Sequence, residues 1–142
     1  MRNVKYIVVH CTATQPEATI ESIQRYWREV KGWKEVPGYH YLIKPDGEIV
    51  KLLDENKNSY GVYAHNSECI SISYIGGIDK ASKPKDTRTK LQRHSMFNKV
   101  MELLERYPKA KAVGHRDFPG VAKACPSFDV KKWLANYNPT LD

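Results

Sequence analysis

Two histidines and a cysteine stand where an α/β chain presents its chemistry. His10 closes the run that begins at Val4, His115 follows the short run Lys111–Gly114, and Cys125 lies ten residues further on. Both runs read as strands, and an open α/β sheet exposes its site at strand ends. Two imidazoles and a thiolate can hold Zn²⁺ tetrahedrally with the fourth position left to water, the pattern of a catalytic rather than a structural site. Spacing alone leaves the alternative open, because a histidine or cysteine at a strand end is more often a core residue with its hydrogen bonds satisfied. Three cysteines, Cys11, Cys69 and Cys125, are an odd number. That argues against a disulfide framework and for buried thiols or metal ligands.

Several elements must position these groups. Val4–Val9, rich in β-branched residues, reads as a buried strand. Thr19 can cap a helix with apolar positions Ile20, Ile23, Trp27 and Val30, and Gly32 is a plausible stop. Tyr39–Ile43 and Glu48–Leu52 flank Pro45-Asp46-Gly47, a hairpin signal. Ile70–Ile75 alternates, with Ile70, Ile72 and Tyr74 on one apolar face, and Gly76-Gly77 ends it. Lys80–Arg88 is polar and reads as an exposed loop. Thr89 and Gln92 form a capping-box pair ahead of a helix burying Met96, Val100, Leu103 and Tyr107, and Pro108 stops it. Ser127 reads as the cap of a last short helix through Trp133 and Leu134. Strands and helices mix without strict alternation, so the expected fold is a two- or three-layer α/β arrangement around a mixed sheet.

Along a strand, successive side chains face opposite ways. If His10 faces a metal, Cys11 faces the core, and His40 is turned away from the site by the same rule relative to Tyr39. Asp117, two residues past His115, reads as a structural acceptor in preference to a direct participant.

The chain has 142 residues, a length that fits one domain and can bury a core without cross-links. Its hydrophobic share of 41% excludes both a disordered chain and a membrane protein. The net charge of +7 fits an anionic partner, such as nucleic acid, headgroups or wall polymer, and equally fits a simple aid to solubility. The basic residues are scattered, and no zinc-finger pairing or paired aromatic RNA motif is present, so a specific nucleic-acid partner is not expected. Arg2 and Lys5 precede an apolar run too short for a signal-peptide core. Cytoplasmic synthesis without a signal peptide is the resulting expectation.

The local sequences sharpen this reading. Val8-Val9-His10-Cys11-Thr12-Ala13-Thr14, Gly38-Tyr39-His40-Tyr41-Leu42-Ile43, Tyr74-Ile75-Gly76-Gly77-Ile78-Asp79, Gly114-His115-Arg116-Asp117 and Lys123-Ala124-Cys125-Pro126-Ser127-Phe128-Asp129 occur in this order. Together they resemble the zinc N-acetylmuramoyl-L-alanine amidases of the lysozyme type made by T-odd bacteriophages. These are related to the bacterial type-2 amidases and the peptidoglycan recognition proteins. The resemblance runs from about Lys5 to Trp133.

The resemblance implies a peptidoglycan recognition protein-like fold, a central mixed β-sheet flanked by helices, with residues 1–142 forming one amidase catalytic domain. It implies Zn²⁺ as cofactor, with His10, His115 and Cys125 as its ligands. It implies Tyr39 and Lys123 as catalytic residues. The reaction is cleavage of the amide between N-acetylmuramic acid and L-alanine in peptidoglycan or muropeptides, serving wall lysis or recycling. The alternative is a non-catalytic peptidoglycan-binding module of the same fold, although such relatives usually lose the third ligand. Phage RNA polymerase is a partner in the phage branch, a monomer is the expected state, and a lysis role would reach the wall through a holin. There are departures from the pattern. The stretch Ser59-Tyr60-Gly61-Val62 has Gly61 where a groove-lining histidine is expected, and His65 and Asn66 are candidates to supply the lost substrate contact. Ser71 stands where the central strand commonly has glycine.

Overall fold

The computed structural model describes residues 2–33 and 36–141. Its centre is a five-stranded sheet built from β1 (Tyr6–Cys11), β2 (Tyr41–Ile43), β3 (Ile49–Lys51), β4 (Cys69–Tyr74) and β5 (Lys111–Gly114), in the order β3-β2-β4-β1-β5. The β1–β4, β1–β5 and β2–β4 pairs are parallel and the β2–β3 hairpin is antiparallel, so the sheet is mixed. Helices α1 (Ile20–Glu29), α2 (Lys90–Arg106) and α3 (Val130–Asn136) complete the layers.

Alternation along β1 divides the interior. Ile7, Val9 and Cys11 join Ile70, Ile72 and Tyr74 of β4 against Met96, Val100 and Leu103 of α2 and Val130 of α3. The opposite face carries Val8 with Val62, Val113 and Phe118, and beside it Leu42 packs with Ile23 and Trp27 of α1. Helices therefore cover both faces, the three-layer form of the expected architecture. The capping box at Thr19 closes with Ser22, and the one at Thr89 closes with Gln92 as its sequence signal indicates.

Some boundaries and faces differ from the sequence reading. The first strand starts later and runs further, because its parallel pairing with β4 continues to His10↔Ser73 and Cys11↔Tyr74. Val30 is the C-cap of α1 and is exposed, since the helix has already ended at Glu29. The β4 strand is buried on both faces, so Ser71 and Ser73 are interior residues. Arg88 is buried as well: its guanidinium pairs with Asp86 at 2.9 Å and lies over the Phe128 ring at 3.4 Å. Asp129, and not Ser127, caps α3 by accepting from the Lys132 backbone N–H. Ser127 instead sits at φ 73° and donates its hydroxyl to the Gly77 carbonyl at 3.0 Å.

His40 is fully buried and ties β4 to the chain beyond β3. Its Nδ1 accepts from the Ser71 backbone N–H at 3.1 Å, so in the neutral ring the proton sits on Nε2, which donates to the Lys57 carbonyl at 2.7 Å. Burial pushes its pKa down, keeping it neutral in the fold. An unfolded histidine titrates near about 6.5, so the stabilisation is complete above that pH and is lost as the pH falls below it. Urea unfolding should show a less stable protein at pH 5.5 than at pH 7.5, and His40→Gln should flatten that fall. An unchanged pH slope in the variant would remove His40 from the account.

Candidate metal and catalytic site

The site grows from one register. Because β1 and β5 are parallel neighbours with Val9 opposite Gly114, His10 and His115 emerge side by side at the same sheet end. Their ring centroids are 4.8 Å apart. His115 opens a short 3₁₀ turn, His115–Asp117, and the Asp117 carboxylate folds back to accept the Gly114 N–H at 2.8 Å. Asp117 thus fixes the turn that aims His115.

Cys125 arrives on a loop pinned at several points. Its Sγ accepts from the Cys11 backbone N–H at 3.2 Å, and its carbonyl accepts from the Arg116 N–H at 2.9 Å. The Tyr74 hydroxyl donates to the Pro126 carbonyl at 2.7 Å. The outcome is a cluster in which one ligand atom from each of His10, His115 and Cys125 lies within 4.8 Å of the others, with His10 Nδ1 3.9 Å from Cys125 Sγ. It is the group of metal-capable side chains found among the described residues. The Cys11 side chain packs in the opposite core, and from there its thiol hydrogen-bonds with the Cys125 thiol.

The electrostatics suit a cation. Burial, the neighbouring His115 and the Lys123 charge hold the His10 pKa well below its ordinary value. Burial and Lys123 bring His115 down to about 4. Both imidazoles are therefore neutral at pH 7, with lone pairs to give. Hydrogen bonding with the Cys11 thiol and burial push the Cys125 thiol up, so a cation is what would bring out its thiolate. Two neutral imidazoles and a thiol convergent on one point fit Zn²⁺ and leave a coordination position for water.

A cavity of about 630 Å³ opens onto this cluster. Tyr26, Trp27, Trp33, Tyr39, Tyr60 and Tyr63 form its aromatic walls, and Lys123 and Lys31 add charge. The Tyr39 ring lies 5.0 Å from His10, and its hydroxyl donates to the Cys11 carbonyl at 3.2 Å. Burial above all, with the nearby thiols, raises its pKa, so the phenol keeps its proton. Lys123 is exposed at the rim, yet near enough for its charge to act on both histidines.

His65 and Asn66 fall outside the lining. The His65 ring packs on Phe118 at 4.9 Å and its Nδ1 lies 3.6 Å from the Glu68 carboxylate. Asn66 accepts the Val62 N–H at 2.8 Å and so shapes the segment from which Tyr60, Gly61 and Tyr63 reach the cavity. Sequence reasoning marked Gly61 as a groove position and Ser71 as a departure from the family pattern, but missed Tyr60, Tyr63 and Ser73. The signal for the two serines was present in the alternation of β4, which sets them on the face opposite Ile70 and Ile72.

Comparison with known proteins agrees with this geometry. The family model described as N-acetylmuramoyl-L-alanine amidase matches residues 1–128. The chain is similar to the endolysin of Escherichia phage T7, 35% identical over 128 residues, which covers 89% of this chain and 83% of the relative. It is also similar to the endolysin of Klebsiella phage KP32, 34% identical over 128 residues, with 89% and 83% covered. Among solved structures, the endolysin from the Thermus scotoductus bacteriophage Ph2119 superposes with a TM-score of 0.81 at 25% identity, covering 95% of this chain and 84% of that one.

The contact between Cys11 and the Cys125 loop has little slack. Gly77 sits at φ +105°, and a Cβ there would lie 2.5 Å from Cys11 Sγ. Gly77→Ala should therefore cost about 2 kcal/mol or more of stability, from backbone strain and overpacking together. Denaturant unfolding at constant pH measures it, and a cost below about 0.5 kcal/mol, the surface-substitution range, would contradict the packing described.

Proposed function

The chain belongs to the N-acetylmuramoyl-L-alanine amidase family and acts as an amidase on peptidoglycan, and from that premise we propose that it is a zinc enzyme of cell-wall lysis. In this reading His10, His115 and Cys125 hold the metal, and Tyr39 and Lys123 serve the reaction. The observation that carries it is the convergence of the three ligand atoms, within 4.8 Å, at the floor of an open cavity.

The bond cut is the amide joining the lactyl group of N-acetylmuramic acid to L-alanine. An amide is a poor electrophile and neutral water a poor nucleophile. Bound at this site, Zn²⁺ supplies Lewis acidity, which polarises a carbonyl and brings the pKa of water towards about 7. The remaining work falls to the protein. His10 and His115 stay neutral because they are buried, so neither is lost to protonation at working pH. Attack on the carbonyl carbon leaves negative charge on its oxygen, and the Lys123 ammonium at the rim stabilises that charge. Tyr39 keeps its proton and can orient the attacking water or pass a proton to the departing amine. The aromatic walls offer flat faces to sugar rings.

The lytic reading draws on the endolysin relatives, with release through a holin as its route to the wall. Among the described residues no helix is long and apolar enough to cross a membrane.

Zinc analysis of protein purified without chelator, with mass spectrometry of products from purified sacculi, tests metal and bond together. One zinc per chain and free stem peptides beginning with L-alanine are expected. Lys123→Met and Tyr39→Phe should each retain zinc while kcat falls, Lys123→Met by about 10²–10³-fold, the loss typical of an oxyanion-stabilising group. Zinc-free protein that still releases stem peptides at full rate would overturn the reading.

A further inference from the structure

Ser71 is a fully buried polar residue on the site face of β4, and the reaction outlined above makes no use of it. Its Oγ lies 3.1 Å from His10 Nε2. The other nitrogen of that ring, Nδ1, is the one directed at Cys125 Sγ. A neutral imidazole carries one proton, and the nitrogen that gives its lone pair to a cation must be the bare one. With Nδ1 turned to the cluster, the proton belongs on Nε2, and the atom in reach to accept it is the Ser71 hydroxyl oxygen.

The hydroxyl is also caged. A Cβ on Gly61 would stand 2.6 Å from Ser71 Oγ and 2.7 Å from the Gly38 carbonyl oxygen, so the segment that lines the cavity passes directly over the serine. Ser71 and Gly61 thus fill one space between them. On the strand ladder Ser73 stands directly opposite His10, and Ser71 is paired with Val8, two residues back. The serine is therefore behind and below the ring, where it supports the ring without competing for the open side.

We propose that Ser71 is a positioning residue: its hydroxyl accepts the Nε2–H of His10, fixing the tautomer and the ring orientation that present Nδ1 to the metal. The proposal deepens the zinc reading and rests on it for its purpose, yet the tautomer can be read without metal. Hydrogen-bond partners of metal-binding histidines typically contribute about 10- to 100-fold in metal affinity.

Two measurements on Ser71→Ala, which keeps the Cβ and removes only the hydroxyl, test this. The first is ¹⁵N chemical shifts of the histidine side chains in metal-free protein. The wild type should show His10 with Nε2 protonated and Nδ1 bare, and the variant should lose that single tautomer. The second is zinc affinity by competition with a chromogenic chelator, where a weakening of about 10- to 100-fold is expected. A wild-type His10 protonated on Nδ1 overturns the proposal, as does an unchanged tautomer and affinity in Ser71→Ala. Wild-type protein that binds no zinc but keeps the serine-dependent tautomer would sink the zinc reading alone and leave the hydrogen bond standing.

Discussion

The structure turns on two consecutive residues at the end of one strand. His10 and Cys11 point to opposite faces of β1, as strand geometry requires, and each face needs its residue. The His10 side chain enters the site, and the Cys11 side chain closes the core beneath α2. Between them the Cys11 backbone N–H binds Cys125 Sγ and its carbonyl receives the Tyr39 hydroxyl. One strand end therefore gathers His10, Cys125 and Tyr39. His115 joins them because β5 runs parallel beside β1. A slip of one residue in β1 would exchange His10 and Cys11 and dissolve all of these contacts at once.

That placement explains the electrostatics. The sheet buries His10 and partly buries His115, and burial is the main reason both stay neutral. The Lys123 charge adds to the effect while itself remaining at the rim. The protein thus keeps its permanent positive charge at the cavity mouth and its uncharged donors at the floor. The two imidazoles are preorganised, since they need not shed protons before accepting a cation, whereas the Cys125 thiol gives up its proton on binding one. The net charge of +7 is a separate matter: it fits salt-sensitive attraction to an anionic wall and plays no part in building the site.

Much of this was legible in the residues. The capping pair Thr89 and Gln92, the buried positions Met96, Val100, Leu103 and Tyr107, and the strand Lys111–Gly114 all follow from local pattern, and local pattern governs them in the structure. The opposition of His10 and Cys11 follows from strand alternation. The errors arise where distant contacts decide. Ser71 and Ser73 lie opposite the apolar face of β4 that the alternation marks, and both are buried, Ser71 beneath the segment at Gly61. Arg88 looked exposed until Asp86, Phe128 and Trp133 enclosed it. His65 and Asn66 lay close to the groove in sequence, yet Phe118 and the Val62 backbone hold them outside its lining. Tyr60 and Tyr63 reach the cavity through loop geometry that no periodicity announces.

The central claim is that Cys125, with His10 and His115, holds the metal while the adjacent Cys11 thiol does not. Cobalt substitution tests it most directly, because a thiolate bound to Co²⁺ gives a ligand-to-metal charge-transfer band in the near ultraviolet. The account predicts that this band appears in the cobalt-loaded protein, survives Cys11→Ser and disappears in Cys125→Ser. A band that survives Cys125→Ser, or one that disappears with Cys11→Ser alone, would contradict it.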